Sequence, residues 1–181
     1  LRRTPNCVLY FSDELRYGLM TNLRRSWSRI GARALLPHQM AYTNRYLFSA
    51  VAPLTGARFH LMGFDAMNAA TEHAFLSALQ REHPDTHVVV VLDNAPCHRR
   101  KDIGEIPGLT VLFLPPYSPE LNPTERFFEE LRRATANAVF SALGDIEDAL
   151  STAINRWAND TKAMQHLLGY RWIKEQCMEV S

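Results

Sequence analysis

Val88-Val89-Val90-Val91-Leu92 is an unbroken apolar run with polar residues on either side. Successive side chains of a strand point to opposite faces, so a run with no polar alternate demands apolar cover above and below it. An α/β arrangement, with this strand inside the sheet and helices on its faces, supplies that cover. The run stops on Asp93-Asn94. A carboxylate at the carboxyl end of a buried strand is costly to bury unpaired, so it should point into the crevice where open sheets bind ligands. A second strand follows at Leu109 to Leu114. Next come the stiff link Pro115-Pro116-Tyr117-Ser118-Pro119 and a helix opening at Asn122-Pro123-Thr124-Glu125.

The remaining elements follow from periodicity and turn chemistry. Cys7 to Phe11 reads as a short strand that runs into Ser12-Asp13-Glu14. Arg45 to Ala52 and Ala57 to Phe64 flank the turn Pro53-Leu54-Thr55-Gly56 and form an antiparallel hairpin. Between the first strand and this hairpin, Arg16 to Pro37 reads as an excursion with at most a short helix around Asn22 to Ile30, pinned to the body by Trp27 and Ile30. Ala69 to Glu82 has helical spacing at Ala70, Ala74, Phe75, Ala78 and Leu79. Glu125 to Val139 is helical with Phe127, Phe128, Leu131 and Ala134 toward the core. Asp145 to Asn159 is another helix, N-capped by Asp145, with Ile146, Ala149, Leu150, Ala153, Ile154 and Trp157 on one face. Thr161 to Ser181 is mixed and receives no assignment. The expected order is strand, hairpin, helix, strand, strand, helix, helix, around a mixed five-stranded sheet flanked by helices.

At 181 residues, 46% hydrophobic and 22% charged, the chain fits a single globular domain, residues 1–181. No apolar run approaches the roughly 18 residues of a membrane span, and no secretory signal is visible. Cys7, Cys97 and Cys177 are odd in number and far apart, which argues against a disulfide framework and against zinc and fits a cytosolic protein. The start at Leu1, without methionine, reads as a fragment of something longer. Net charge is only +1, yet the first 45 residues hold eight arginines against Asp13 and Glu14. Such a run is often only a solvated face. Its sharper reading is a nucleic-acid partner, with arginine suited to bidentate phosphate contact at Arg24, Arg25 and Arg29.

If the first strand and the Val88 strand are central neighbours, Asp13 and Asp93 emerge side by side, and Glu125 on the following helix makes a third acid. Hard oxygen donors of this kind suit Mg²⁺ or Mn²⁺. Two such ions, about 3.5–4 Å apart, can activate a water or hydroxyl on one side of a phosphorus and steady the leaving oxygen on the other. Each acid also has a plainer use. Asp13 and Asp93 can cap turns at strand ends. Asn122-Pro123-Thr124-Glu125 can be a capping box, with Asn at N-cap and Glu at N3. Glu129, one turn on, is then the fallback ligand. Glu14, next to Asp13 in an extended segment, should face the other way. Asn94 and His98 sit just past the strand end, where His98 could contact a phosphate.

Phe11-Ser12-Asp13-Glu14, Asp93-Asn94-Ala95-Pro96-Cys97-His98 and Leu114-Pro115-Pro116-Tyr117-Ser118-Pro119-Glu120-Leu121-Asn122-Pro123-Thr124-Glu125 together resemble the catalytic domain of DDE transposases. The branch resembled is that of mariner-type elements and their bacterial insertion-sequence relatives. The likeness runs from about Cys7 to Arg133. It implies a ribonuclease-H-like fold, two divalent metals (Mg²⁺ or Mn²⁺), and DNA strand cleavage and transfer at transposon ends. Matched motif by motif, the catalytic and metal-binding acids fall on Asp13, Asp93 and Glu125, the last two 32 positions apart. It further implies a homodimer in the active complex, no membrane partner, and a bacterial cytoplasmic, nucleoid-associated location. The helix-turn-helix DNA-reading region of such enzymes is expected to lie outside this chain. Two other readings stay open: another ribonuclease-H-like nuclease, and a non-catalytic DNA-binding or dimerisation module derived from a transposase.

Overall fold

The computed structural model describes residues 6–94 and 106–178. Five strands, β1 (Cys7–Gly18), β2 (Asn44–Val51), β3 (Arg58–Phe64), β4 (His87–Leu92) and β5 (Leu109–Phe113), form one mixed sheet in the order β3-β2-β1-β4-β5. β2 lies antiparallel to both β1 and β3, whereas β1, β4 and β5 run parallel. The hairpin and the buried Val88 run are therefore where the sequence puts them.

β1 is longer than its apolar run. Pairing with β4 covers only Cys7 to Phe11, but pairing with β2 continues from Phe11↔Val51 to Gly18↔Asn44. Residues 12–18 thus remain in strand despite their charges, because β2 satisfies the backbone on one edge. Arg16, Tyr17 and Gly18, expected in the excursion, belong to this strand. The parallel register pairs Phe11 with Val91, so two residues further on it brings Asp13 level with Asp93.

Helix α1 (Ala69–Arg81) covers one face of the sheet. Its buried stripe is Glu72, Phe75, Leu76 and Leu79, spaced i, i+3, i+4, i+7. Ala70 and Ala74, expected to face the core, are exposed. A capping box between Asn68 and Thr71 starts the helix.

The other face is covered by α2 (Pro123–Ala134), α3 (Leu143–Asn155), α4 (Thr161–Leu168) and α5 (Arg171–Met178). Phe127, Phe128 and Leu131 of α2 are fully buried there, while Ala134 is exposed at the helix end. α2 stops five residues short of Val139, where the Thr135 hydroxyl donates to the Leu131 carbonyl. α3 begins at Leu143, so Asp145 is not its N-cap. Standing three residues inside, Asp145 accepts hydrogen bonds from the Ser141 and Ala142 amides and caps the helix from within.

Residues 19–43 form an irregular arm with no helix around Asn22 to Ile30. Its base is closed by Leu19 N–H to Thr43 O at 3.0 Å and Thr21 N–H to Gln39 O at 3.1 Å. Asn137 N–H to Asn22 O and Arg24 N–H to Asn137 Oδ1 fasten it to the end of α2. Beyond that the arm reaches into solvent and turns at Arg29–Ala32, with Gly31 in the left-handed region at φ 86°. Trp27 and Ile30 flank this turn and are fully exposed. They do not pin the arm to the body, because the attachment points lie at its base.

Candidate active site

A cavity of about 640 Å³ opens at the carboxyl ends of the parallel strands and is lined by Asp13, Asp93, Asn94, Asn122 and Glu125, with Leu114 to Pro119 forming its far wall. Asp13 stands on β1 where the β4 ladder has ended, Asp93 follows the last residue of β4, and Glu125 lies in the first turn of α2.

α2 is bolted to β1 by its own first residues. The Asn122 side chain accepts from Thr124 N–H at 3.1 Å and donates to both the Ser12 carbonyl at 3.1 Å and Asp13 Oδ2 at 3.3 Å. The Thr124 hydroxyl donates to the Phe11 carbonyl at 2.9 Å. Asn122 and Thr124 are buried, so these bonds are shielded from water. Asp13 Oδ1 accepts from the Glu14 amide at 2.8 Å, which leaves Asp13 with both carboxylate oxygens positioned.

Glu125 does not close a capping box. Its Oε2 accepts from Arg132 at 3.1 Å, and the same arginine also reaches Glu129 Oε1 at 3.0 Å. The cap is made by Asn122 alone, and the Glu125 carboxylate stands free of it at the cavity edge. Glu129, the fallback ligand, is held by two arginines, Arg24 at 2.8 Å and Arg132, whose hydrogen bonds draw its carboxyl below the usual range.

The electrostatics around Asp13 are unusual. Burial, the Glu14 carboxylate, and then Glu125 and Asp93 together push its carboxyl up to about 8, against the Glu14 amide. Glu14 lies on the opposite face of β1, as alternation requires, and shares a hydrogen bond with Glu72 of α1. Burial and the fields of Asp13 and Asp93 raise the Glu72 carboxyl as well. Sequence reasoning missed Glu72, although its place on the stripe with Phe75, Leu76 and Leu79 was the available signal.

All three expected acids share one cavity, but they are not drawn into a ready-made cage. Among the described residues, no three His, Cys, Asp or Glu side chains are arranged to hold a metal ion as they stand. Of the arginines singled out for DNA, Arg25 and Arg29 are exposed on the arm, whereas Arg24 is paired with Glu129. His98 lies outside the described residues.

A 3-2-1-4-5 mixed sheet with an acid on its central strand and helices on both faces is the ribonuclease-H-like fold. Within that fold, the chain belongs to the DDE superfamily endonucleases, whose family model matches residues 8–147. A relative, the uncharacterized protein y4pE/y4sA of Sinorhizobium fredii (strain NBRC 101917 / NGR234), is 33% identical over 114 residues, covering 61% of this chain and 83% of the relative. The Mos1 transposase paired-end complex with left transposon end superposes with a TM-score of 0.69 at 20% identity, over 93% of this chain and 53% of that one. The Mos1 mariner paired end complex with Mn gives a TM-score of 0.68 at 20% identity, over 89% and 51%. The chain therefore spans about half the length of these transposases. Among the described residues, no helix is long and apolar enough to cross a membrane.

Proposed function

We propose that this chain is the catalytic part of a transposase that cleaves DNA strands at transposon ends and joins the freed 3′ ends to target DNA. The observation that carries this reading is the shared cavity of Asp13, Asp93 and Glu125, with Asp13 held in place by the asparagine that opens α2. The donor set fits a hard divalent ion. Three carboxylates face one space, and the mutual repulsion that helps keep Asp13 protonated is what a cation would relieve.

In this reading Asp13, Asp93 and Glu125 hold two ions of Mg²⁺ or Mn²⁺, and the Mn-containing Mos1 complex supports that choice. Bound there, the ions supply an activated water or 3′ hydroxyl and charge stabilisation for the leaving oxygen. Asp13 would contribute a carboxylate already positioned by Asn122 and the Glu14 amide, and it would give up its proton as positive charge entered the cavity. Glu125 would have to leave Arg132 to hold the cation, and Arg132 would keep Glu129 as a partner. No serine or tyrosine nucleophile is assigned, and the reaction needs no covalent protein intermediate.

The Mos1 complex with a transposon end supports DNA as the partner. Arg25 and Arg29 on the arm, and Arg24 where it leaves Glu129, contact the DNA backbone, which positions the duplex without reading bases. His98 is assigned a phosphate contact. The exposed Trp27, Ile30 and Leu35 are apolar side chains with little to gain in water, and they support a second copy closing over the arm as a homodimer. A DNA substrate and the Sinorhizobium fredii relative support a location with the nucleoid in a bacterial cytoplasm.

The test is Mn²⁺-dependent nicking of a duplex bearing the element's end, with the DNA-reading region supplied. Wild type should nick, and Asp93→Asn should lose the activity by at least about 100-fold while still binding the duplex. Equal nicking by both proteins would overturn the assignment.

A further inference from the structure

Two non-glycine residues of the described chain adopt positive φ, Asn137 at 58° and Tyr117 at 59°. Asn137 has a local reason: asparagine tolerates the left-handed region, and its side chain is used by the Arg24 amide. Tyr117 has none. A bulky side chain in that region is strained, and strain of this sort persists only where the surroundings enforce it.

The enforcement is visible at both ends of the link. Leu114 N–H is bonded to the Leu92 carbonyl at 2.8 Å, which ties the start of the link to the end of β4. At the other end a 3₁₀ turn, Pro119–Leu121, is followed directly by the buried Asn122 clamp. Between these anchors Pro115, Pro116 and Pro119 fix their own φ and offer no N–H. The chain therefore cannot relax around Tyr117. The ring it displays is 101% exposed, at the wall of the cavity that holds the three acids. A fully exposed aromatic ring contributes nothing to the core, but set on this constrained backbone at the cavity wall it is a platform for another flat ring.

Resting on the DNA-cleaving reading above, we infer that Tyr117 stacks on an unpaired nucleobase beside the phosphodiester seated at Asp13, Asp93 and Glu125, splaying the strand so that its backbone enters the cavity. Base–aromatic stacking tolerates any base, because each has a π-face. The tyrosine would therefore position the strand without selecting its sequence. It touches the substrate but not the reacting atoms, so it is a positioning residue.

The experiment uses a short duplex with a single-stranded 3′ extension carrying 2-aminopurine at each unpaired position in turn. It is read in Ca²⁺, whose looser coordination is a poor stand-in for Mg²⁺. Wild type should change the fluorescence at one or two positions and bind the extended duplex more tightly than the blunt one. Tyr117→Phe should keep both effects. Tyr117→Ala should lose the fluorescence change and weaken binding to the extension by on the order of 10- to 100-fold, the scale of one stacked base. Tyr117→Gly, which suits positive φ, should lose stacking with a thermal midpoint at or above wild type, separating this role from a structural one. A Tyr117→Ala protein with wild-type fluorescence and affinity overturns the inference. Wild type that binds and nicks duplex with no fluorescence change at any position overturns it too, yet leaves the cleavage reading intact. Failure to bind any DNA with the DNA-reading region supplied overturns both.

Discussion

The acid cavity and the arginine-bearing arm are both charged, and the fold treats them in opposite ways. In the cavity each acid is set by non-local structure: Asp13 by the Asn122 clamp, Asp93 by the end of β4, and Glu125 by the start of α2. On the arm, the bonds to the body end near its base, and Arg25, Trp27, Arg29 and Ile30 face solvent. The cavity holds repelling charges where they would not gather unaided, whereas the arm leaves its charges to be ordered by whatever it binds. In the proposed reading, the charge that the scaffold constrains serves chemistry and the charge that it leaves in solvent serves docking.

The largest difference between the regions should appear in activity. Glu125→Gln keeps the side-chain volume but removes the charge, and divalent-metal-dependent strand cleavage should fall by orders of magnitude. Stability should change by no more than about 1 kcal/mol, because the lost ion pair with Arg132 is half-exposed. Glu129→Gln, assayed beside it, should retain most activity. A Glu125→Gln enzyme that cleaves like wild type would remove that residue from the site.

Stability against pH should separate the regions next. The Asp13 carboxyl is raised from an ordinary 3.8 to about 8 in the folded chain, so the native state holds a proton that the unfolded chain releases. The stability this confers is present below about pH 4 and is lost as pH rises toward 8, by on the order of a few kcal/mol. In metal-free buffer the thermal midpoint should fall across that window. Asp13→Asn should flatten the fall, and arm variants should leave it unchanged.

A structural variant probes the clamp itself. Asn122→Ala removes the α2 cap and leaves the Ser12 carbonyl and Asp13 Oδ2 without that donor, for a loss of about 2–3 kcal/mol by chemical denaturation. A loss under about 0.5 kcal/mol would mean that α2 reaches the sheet without it. The smallest effect belongs to the arm: Arg25→Ala with Arg29→Ala should alter stability by less than about 0.5 kcal/mol. It should nevertheless weaken binding to all duplexes alike and lower the salt slope by about 2. A changed sequence preference would contradict a backbone-only role.

Much of this was legible in the chain. Val88 to Leu92 announced a strand buried on both faces, the Pro53-Leu54-Thr55-Gly56 turn announced the hairpin, and alternation placed Glu14 away from Asp13. What was not legible depended on partners distant in sequence. β1 continues through Asp13, Glu14 and Arg16 because β2 lies alongside, and no local apolar pattern records that. Glu72 shared a helical stripe with three apolar residues, but the neighbouring alanines looked like the more natural core face. Asn122 was readable as a cap from its spacing to Pro123. Its bonds to Ser12 and Asp13 span about 110 positions and belong to the tertiary fold. Trp27 and Ile30 looked like anchors by composition alone, and only the course of the arm takes them away from the body.

The central claim is that the cavity keeps Asp13 protonated until a divalent cation arrives, and calorimetric titration of Mn²⁺ at pH 7 tests it most directly. Binding heats measured in two buffers of different ionisation enthalpy give the number of protons released per site. With the carboxyl raised to about 8, wild type should release close to one proton on binding, and Asp13→Asn should bind more weakly and release none. Mn²⁺ binding with no proton release, or binding and release unchanged in Asp13→Asn, would contradict the account.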